Sequence, residues 1–478
     1  MKNYSIWSEE IKQTRETLNK DLEVDVLIIG GGMTGINTAY QLISSNLKVC
    51  LVEKNIIGSG VTSKTTGKLT YLQENYSKLK TYHNEEVSKE YLESQKYAVK
   101  LAKEIISEEN LNCNLEKVKS FIINNKSNIF NKEKELLKKY GVNIKATNEL
   151  PNKEIIEGYY VEDTYVFHPI KYLKSLTDLI VKNNILVYEN TKITEIEKDS
   201  KYYICKANNH IIKTKYIVFA LHYPYFLLPF FTPFKTSIEK SYIGAYKVIN
   251  NDLYSSITIS KPTISTRFYE DKHIYQLILT NSHNISIRNN IKKEFEILLN
   301  NEPDYVWSNK DIITNDYLPF IGSLNNDNTM LIGTGYNTWG MTNSILAGKI
   351  LSDIILNKKN KYINLFNPKR SINLGKVINT PIILSSNAYS FTKSKIYKQK
   401  KWYNSNVIFE KRNGKNVAIY IDDDNKEHIV YNLCPHLKCS LIFNEIEHTW
   451  DCPCHGSRFN IDGKCIEGPS NYDITYKG

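Results

Sequence analysis

The sequence predicts an α/β domain built on a parallel βαβ unit, with an antiparallel sheet interleaved in it and a small all-β domain at the C-terminus. Three patterns predict this. Residues 24–29 form a β-branched apolar run that ends in glycines; a helical pattern over 33–43 and a second apolar run over 48–53 complete a βαβ unit. From about 240 to 279 the pattern is strand-rich. From about 397 onward the chain is short strands and turns, and five of its eight cysteines (Cys434, Cys439, Cys452, Cys454, Cys465) fall there within 32 residues.

The 478 residues allow two or three folding units at roughly 150 residues each. The expected boundaries are 22–365 for the α/β domain, 366–396 for a linker of weak periodicity, and 397–478 for the small β domain. Within the first unit, 74–142 is charged and mostly helical in pattern, and Pro169 stands at the start of a helix that His168 can cap. Net charge is +11, from 56 Lys and only 6 Arg against 51 acids. No basic run is interleaved with aromatics on one face, so the charge reads as a solvated surface and not a nucleic-acid site. The first ten residues carry no apolar signal core. The longest apolar stretch, 216–234, is broken by His222, Pro224, Pro229 and Pro233 and cannot be a continuous membrane helix. A soluble cytoplasmic chain is expected, and the cysteine cluster then argues for metal or redox chemistry over a disulfide scaffold.

Gly30-Gly31-Gly32-Met33-Thr34-Gly35 places Gly-x-Gly-x-x-Gly between a buried strand and a helix. Gly30 permits the tight turn, Gly32 lets the backbone approach a pyrophosphate, and Gly35 lets helix pack on strand. The helix N-terminus offers N–H groups to the phosphates. Glu53 ends the second strand 23 residues after Gly30, where an acid accepts from ribose hydroxyls. This is a Rossmann-like dinucleotide site.

Further segments bear on which dinucleotide. Ile57-Gly58-Ser59-Gly60-Val61-Thr62 and Lys64-Thr65-Thr66-Gly67-Lys68 follow Glu53-Lys54. Leu318-Pro319-Phe320-Ile321-Gly322 precedes the run from Leu331 through Gly333, Gly335, Trp339 and Gly340 to Thr342. Thr191-Lys192-Ile193 and Val218-Phe219-Ala220 lie between. Over about 22–360 these resemble the D-amino-acid-oxidase-like flavoproteins, which include glycine oxidase and sarcosine oxidase. The resemblance implies FAD, bound by parts near 22–75, 185–225 and 315–360, with a substrate sheet between. It implies contacts from Gly30, Gly32, Met33, Thr34, Gly35, Glu53, Lys54, Gly58, Thr62, Thr65, Thr66, Ile193, Gly333, Gly335, Gly340, Met341 and Thr342. The sequence has no second Gly-x-Gly-x-x-Gly for NAD(P)H, so electrons are expected from an organic substrate.

Cys434-Pro435-His436 is followed by Cys452-Pro453-Cys454-His455. Two thiolates and two imidazoles suit zinc as well, but zinc sites usually pair Cys with Cys and His with His. One Cys and one His per box resembles the Rieske pattern, in which two His replace two Cys on one iron of a [2Fe–2S] cluster. The resemblance covers about the last 80 residues. It implies Cys434, His436, Cys452 and His455 as ligands and Cys439–Cys454 as a disulfide that clamps the two loops. Two departures are visible: Lys438 stands where high-potential members have Gly, and Phe459 where they have a Tyr bonded to a cysteine sulfur. Losing the Tyr hydrogen bond at Phe459 places the expected potential in the lower or middle part of the Rieske range. Cys465 has no assigned role.

A flavin accepts a hydride and an iron–sulfur centre one electron at a time. The resemblances thus imply oxidation of a small amine or amino acid, with electrons passed through the cluster to an acceptor protein or quinone. Arg267 is the candidate clamp for a substrate carboxylate, because its planar fork suits one. His168 and His222 read as structural. The alternative is an electron-transfer or redox-sensing protein without substrate turnover; a reductase for a Rieske oxygenase would need the missing NAD(P)H motif.

Overall fold

The computed structural model describes residues 2–124, 127–223, 235–249, 253–259, 263–270, 273–282, 302–371, 406–436, 438–445, 447–454, 456–468, 470 and 472–478. Most of the expected linker, the proline-broken part of the apolar stretch, and His455 lie outside the described residues.

In chain order the first elements are β1 (Leu22–Ile29), α1 (Met33–Gln41), β2 (Val49–Val52), β3 (Lys68–Leu69), α2 (Tyr76–Tyr82), α3 (Glu85–Glu108), β4 (Glu116–Asn124) and α4 (Ile129–Lys139). There follow β5 (Lys145–Glu149), β6 (Ile155–Val166), α5 (Pro169–Lys182), β7 (Leu186–Tyr188), β8 (Ile193–Asp199), β9 (Tyr202–Ala207) and β10 (His210–Phe219). Next are β11 (Thr236–Val248), β12 (Tyr254–Ile259), β13 (Ile264–Glu270), β14 (Ile274–Ser282), β15 (Tyr305–Thr314), β16 (Phe320–Ser323), β17 (Met330–Thr334) and the helix Gly340–Ile355, here α6. The C-terminal strands are β18 (Val407–Arg412), β19 (Lys415–Ile421), β20 (Glu427–Tyr431), β21 (Ile442–Asn444), β22 (Thr449–Asp451), β23 (Arg458–Asn460) and β24 (Cys465–Glu467).

The expected βαβ unit forms. β1 lies parallel between β10 and β2 in the order β16-β17-β10-β1-β2-β7. All four residues of β2 and the last four of β1 are buried, as a strand covered on both faces requires. Helices α5 and α6 pack on α1. The second sheet runs β15-β11-β14-β13-β12-β4-β6-β3, with β5 beside β6. It is mainly antiparallel, so the strand-rich stretch after 240 is the sheet expected there. The stretch 74–142 is mostly helical, as α2, α3 and α4, and the strand β4 interrupts it: its partly polar nine residues are recruited by β6 and β12 on its two sides. The C-terminal part builds two small antiparallel sheets, β18-β19-β20 and β21-β22-β23-β24.

Two glycine turns therefore leave the C-terminal ends of parallel strands. One joins β1 to α1 and the other joins β17 to α6, with β10 between the two strands. Open α/β sheets bind ligands in the crevice at that edge.

Candidate functional site: a dinucleotide cradle and a cysteine–histidine cluster

At the first turn the backbone leaves no room for side chains. A Cβ on Gly30, whose φ is +115°, would overlap the Ala220 carbonyl oxygen; one on Gly35 would overlap the Gly30 carbonyl oxygen. Gly32 is the N-cap of α1 and carries no capping side chain. Thr62 lies over this turn, its Oγ1 accepting from the Met33 N–H at 3.3 Å. Glu53 Oε2 accepts from the Gly31 N–H at 2.8 Å and Oε1 from the Asn55 N–H at 2.9 Å. Burial pushes its carboxyl up, opposed by these two N–H groups. At the second turn Gly335 has φ +72°, and Gly333 lies close to Thr34, whose Oγ1 meets the Tyr336 hydroxyl at 2.7 Å. Thr342, in the first turn of α6, bonds the backbone of Thr70 through both its donor and acceptor roles. Gly340 and Met341 open that helix. The two turns thus meet through Thr34 and Tyr336, and the stretch 54–70, which crosses between them, joins both through Thr62 and Thr70. Ile193 is a core residue of the first sheet, and Gly58 turns against Ile170 of α5.

The crossing stretch is a strap. Four successive carbonyls accept from buried side chains: Lys64 O from Trp307 Nε1 at 3.1 Å, Thr65 O from Trp7 Nε1 at 2.7 Å, Thr66 O from Arg267 Nη1 at 2.7 Å, and Gly67 O from the same Nη1 at 3.1 Å.

Arg267 is thereby corrected as a carboxylate clamp. It is 1% exposed; Nη1 also donates to Phe167 O at 2.9 Å, and Nε donates to Phe268 O at 3.2 Å. Either bidentate face of the guanidinium has one member bound to backbone, so no fork is left for a substrate. Trp7 and Tyr269 lie near the guanidinium, 5.3 and 5.6 Å from ring centroids. His168 is the N-cap of α5, Nδ1 accepting from the Lys171 N–H at 3.2 Å. Burial, with Lys171 and Arg267 nearby, pushes it down to about 3, so it is a neutral acceptor.

In the C-terminal sheets the two boxes form loops of one shape. Cys434 N–H donates to Cys439 O and Lys438 N–H to Cys434 O, both at 2.9 Å; Cys452 N–H donates to Ser457 O at 2.7 Å and Gly456 N–H to Cys452 O at 3.0 Å. The fourth residue after each cysteine has positive φ, +57° at Lys438 and +78° at Gly456. A disulfide joins Cys439 to Cys454. Cys452 Sγ lies within 4.8 Å of both those sulfurs. Two of those three sulfurs are spent in the disulfide, so the trio is a clamp beside Cys452 and not a three-thiolate site. Cys434 and Cys452 stay outside it and are fully buried. Burial lowers His436, favouring the neutral imidazole that ligation needs. Cys465 turns out to hold a turn: its Sγ–H reaches Ser470 O at 3.1 Å, and burial pushes the thiol up to about 11. Burial likewise raises Cys50, Cys113 and Cys205 to about 12, as for inert core thiols.

Sequence reasoning missed the junction between the two sites. Lys54 Nζ donates to Ile466 O at 3.3 Å, and Lys64 Nζ lies 4.0 Å from Glu447 and 3.8 Å from Glu467. The cradle fits FAD: glycines where phosphates need backbone, an acid at the end of β2, and a strap across the turn. The loops fit a [2Fe–2S] cluster: buried thiols from two like loops clamped by a disulfide.

These two sites define an FAD-dependent oxidoreductase carrying a Rieske [2Fe–2S] domain. The chain belongs to the FAD dependent oxidoreductase (DAO) family, whose model matches residues 25–354, and a Rieske [2Fe-2S] domain model matches 393–476. It is 30% identical over 480 residues to YhfW of Bacillus subtilis, whose name places it among Rieske 2Fe-2S iron-sulfur proteins; the match covers 95% of this chain and 93% of that one. It is 29% identical over 261 residues to glycerol 3-phosphate oxidase of Mycoplasma genitalium, covering 50% of this chain and 66% of that one. Among solved structures, glycine oxidase from Geobacillus kaustophilus shares the fold at TM-score 0.60 and 16% identity, over 74% of this chain and all of that one. Among the described residues no helix is long and apolar enough to cross a membrane.

Proposed function

We propose that this oxidoreductase dehydrogenates a small amine or amino acid and passes the electrons through its Rieske cluster to an external acceptor protein or quinone. The observation that carries this reading is the junction: Lys54 and Lys64, both on the stretch that crosses the dinucleotide cradle, are bonded to the cluster-bearing part at Ile466, Glu447 and Glu467. A flavin supplies the two-electron acceptor and the cluster a one-electron relay. Oxidation of an amine to an imine removes two electrons and two protons, so two one-electron acceptors are reduced per turnover. The residues assigned to FAD above, and Cys434, His436, Cys452 and His455 for the cluster, belong to this proposal, as do units at 22–365 and 397–478.

With Arg267 engaged elsewhere, substrate recognition needs other groups. Among the described residues, Glu74 Oε2 and the Tyr159 hydroxyl are buried without a hydrogen-bond partner. Glu74 is also close enough to act electrostatically on Lys68 and Tyr159. Lys68 is buried, which brings it down to about 7. A small polar molecule suits such unpaired donors and acceptors. The kinship with glycerol 3-phosphate oxidase favours a second reading, a polyol phosphate as substrate. Anaerobic titration of the flavin with amines, amino acids and glycerol 3-phosphate, followed by EPR of the cluster, tests both. Bleaching by one amine with appearance of a reduced-cluster signal is the expected result. Bleaching only by glycerol 3-phosphate overturns the amine. Reduction by dithionite alone leaves the electron-transfer reading.

A further inference from the structure

The face of the flavoprotein sheet that meets the C-terminal domain carries two lysines directly opposite each other. Lys240 of β11 pairs in register with Lys310 of β15, and both are 4% exposed. Like charges facing across strands repel, and two buried ammonium groups are costly unless something pairs them. The partner comes from the other domain. Asp451 Oδ2 lies 2.9 Å from Lys240 Nζ and 3.8 Å from Lys310 Nζ. Lys310 Nζ also donates to Gly456 O at 2.6 Å. These two contacts bracket the second cysteine box: Asp451 precedes Cys452, and Gly456 follows His455. Arg458 binds Asp451 and Glu447 from within the small domain, and Ser308 of β15 bonds Glu447. The loops differ accordingly. Residues 451–454 and 456–459 are all buried, whereas Leu433 and Lys438 of the first loop are exposed.

We propose that Lys240 and Lys310 are positioning residues that seat the second cysteine loop on the flavin domain through Asp451 and Gly456, so that the cluster accepts electrons from the flavin in a docked state, through that loop. This rests on the reading that flavin and cluster exchange electrons. One electron leaves the reduced flavin and one ferric ion becomes ferrous; the second follows once an acceptor protein has reoxidised the cluster, and the flavin's protons go to solvent. Two cations beside the loop also favour the reduced, more negative cluster, so their loss lowers its potential.

The test is the full-length double variant Lys240→Met/Lys310→Met. Iron, sulfide and FAD content are expected to stay at wild-type levels. Photochemical reduction of the flavin is expected to reach the cluster about tenfold more slowly, with a lower cluster potential. Hydrogen exchange of 305–314 and 449–458 is expected to rise, a readout that needs no turnover and applies also to cluster-free protein. Lys310→Arg, which keeps a donor and the charge, is expected to restore most of the rate. Unchanged exchange protection together with an unchanged transfer rate overturns the proposal. If wild-type cluster is never reduced from the flavin, the underlying reading fails, while the exchange result still decides whether the lysines seat the loop. Should the double variant not accumulate, Lys310→Met carries the same expectations, since it removes the Gly456 bond and leaves the Lys240–Asp451 pair.

Discussion

Replacing Arg267 by Met separates a structural arginine from a substrate clamp. Its Nη1 serves the carbonyls of Thr66, Gly67 and Phe167 at 2.7, 3.1 and 2.9 Å. Gly67 O keeps a second donor, the Phe167 N–H at 3.2 Å. Among the described residues, Thr66 O and Phe167 O have no such reserve. Each buried carbonyl left unpaired costs about 1–3 kcal/mol, so the pair amounts to roughly 2–6. Removing a guanidinium that burial has already pulled down to about 10 offsets part of this, leaving a net loss of about 3 kcal/mol. For a domain of about 340 residues that lowers the melting temperature by roughly 4 °C. The strap loosens as well, so FAD is expected to dissociate more readily. Thermal melting followed by flavin fluorescence reads both effects, and Arg267→Lys, with fewer donors in a different geometry, should fall between. The reasoning is refuted if the Met variant melts like the wild type and instead raises the KM of its substrate about a hundredfold, the scale of one lost charged contact.

Other outcomes follow from the same geometry. Lys438 holds φ +57° where the matching loop has Gly456; Lys438→Gly should relieve about 1 kcal/mol of left-handed strain, less some unfolded-chain entropy, and raise the denaturant midpoint of the cluster's visible absorbance. The Cys439–Cys454 disulfide closes a separation of 15 residues. Cys439→Ser/Cys454→Ser should therefore cost about 3 kcal/mol and shorten the half-life of the visible cluster bands in chelator. His168 has its folded pKa depressed to about 3 from 6.5. Its contribution is full above 6.5 and is lost as pH falls toward 3, at about 1.4 kcal/mol per unit, or about 2 kcal/mol by pH 5. Urea unfolding at the two pH values should show this slope, and His168→Asn, which keeps a capping acceptor, should flatten it.

What could be read from the sequence was local. The glycine spacing of the Gly30–Gly35 turn is readable locally because the demand on Gly35 comes from the Gly30 carbonyl five residues away, although that on Gly30 comes from the distant Ala220 carbonyl. The two cysteine boxes are also short loops, each closed by its own backbone hydrogen bonds. Arg267 was misread because its partners lie 100 to 201 residues away, and only the placement of β13 beside the strap decides what its fork meets. Lys240 and Lys310 are two among 56 lysines, and their meaning depends on strand register and on an aspartate 211 residues from Lys240. β4 was hidden because its polar residues suggest a helix when its two partner strands are not known.

The strap and the junction make one mechanical argument. The carbonyls of residues 64 to 67 are held by Trp307, Trp7 and Arg267, three of the largest fully buried side chains. The side chain of Lys64 leaves the same strap toward Glu447 and Glu467, which burial would raise but which Arg458 and Lys64 hold down, Glu467 to about 2. Trp307 and Lys310 both belong to β15, so one strand fixes the strap at one residue and the second cluster loop three residues on. Among the described residues, the separation between the dinucleotide cradle and the cysteine loops is therefore set by a hydrogen-bonded sheet and the strap. Loosening β15 should slow the proposed electron transfer, because positioning is what the buried donors secure.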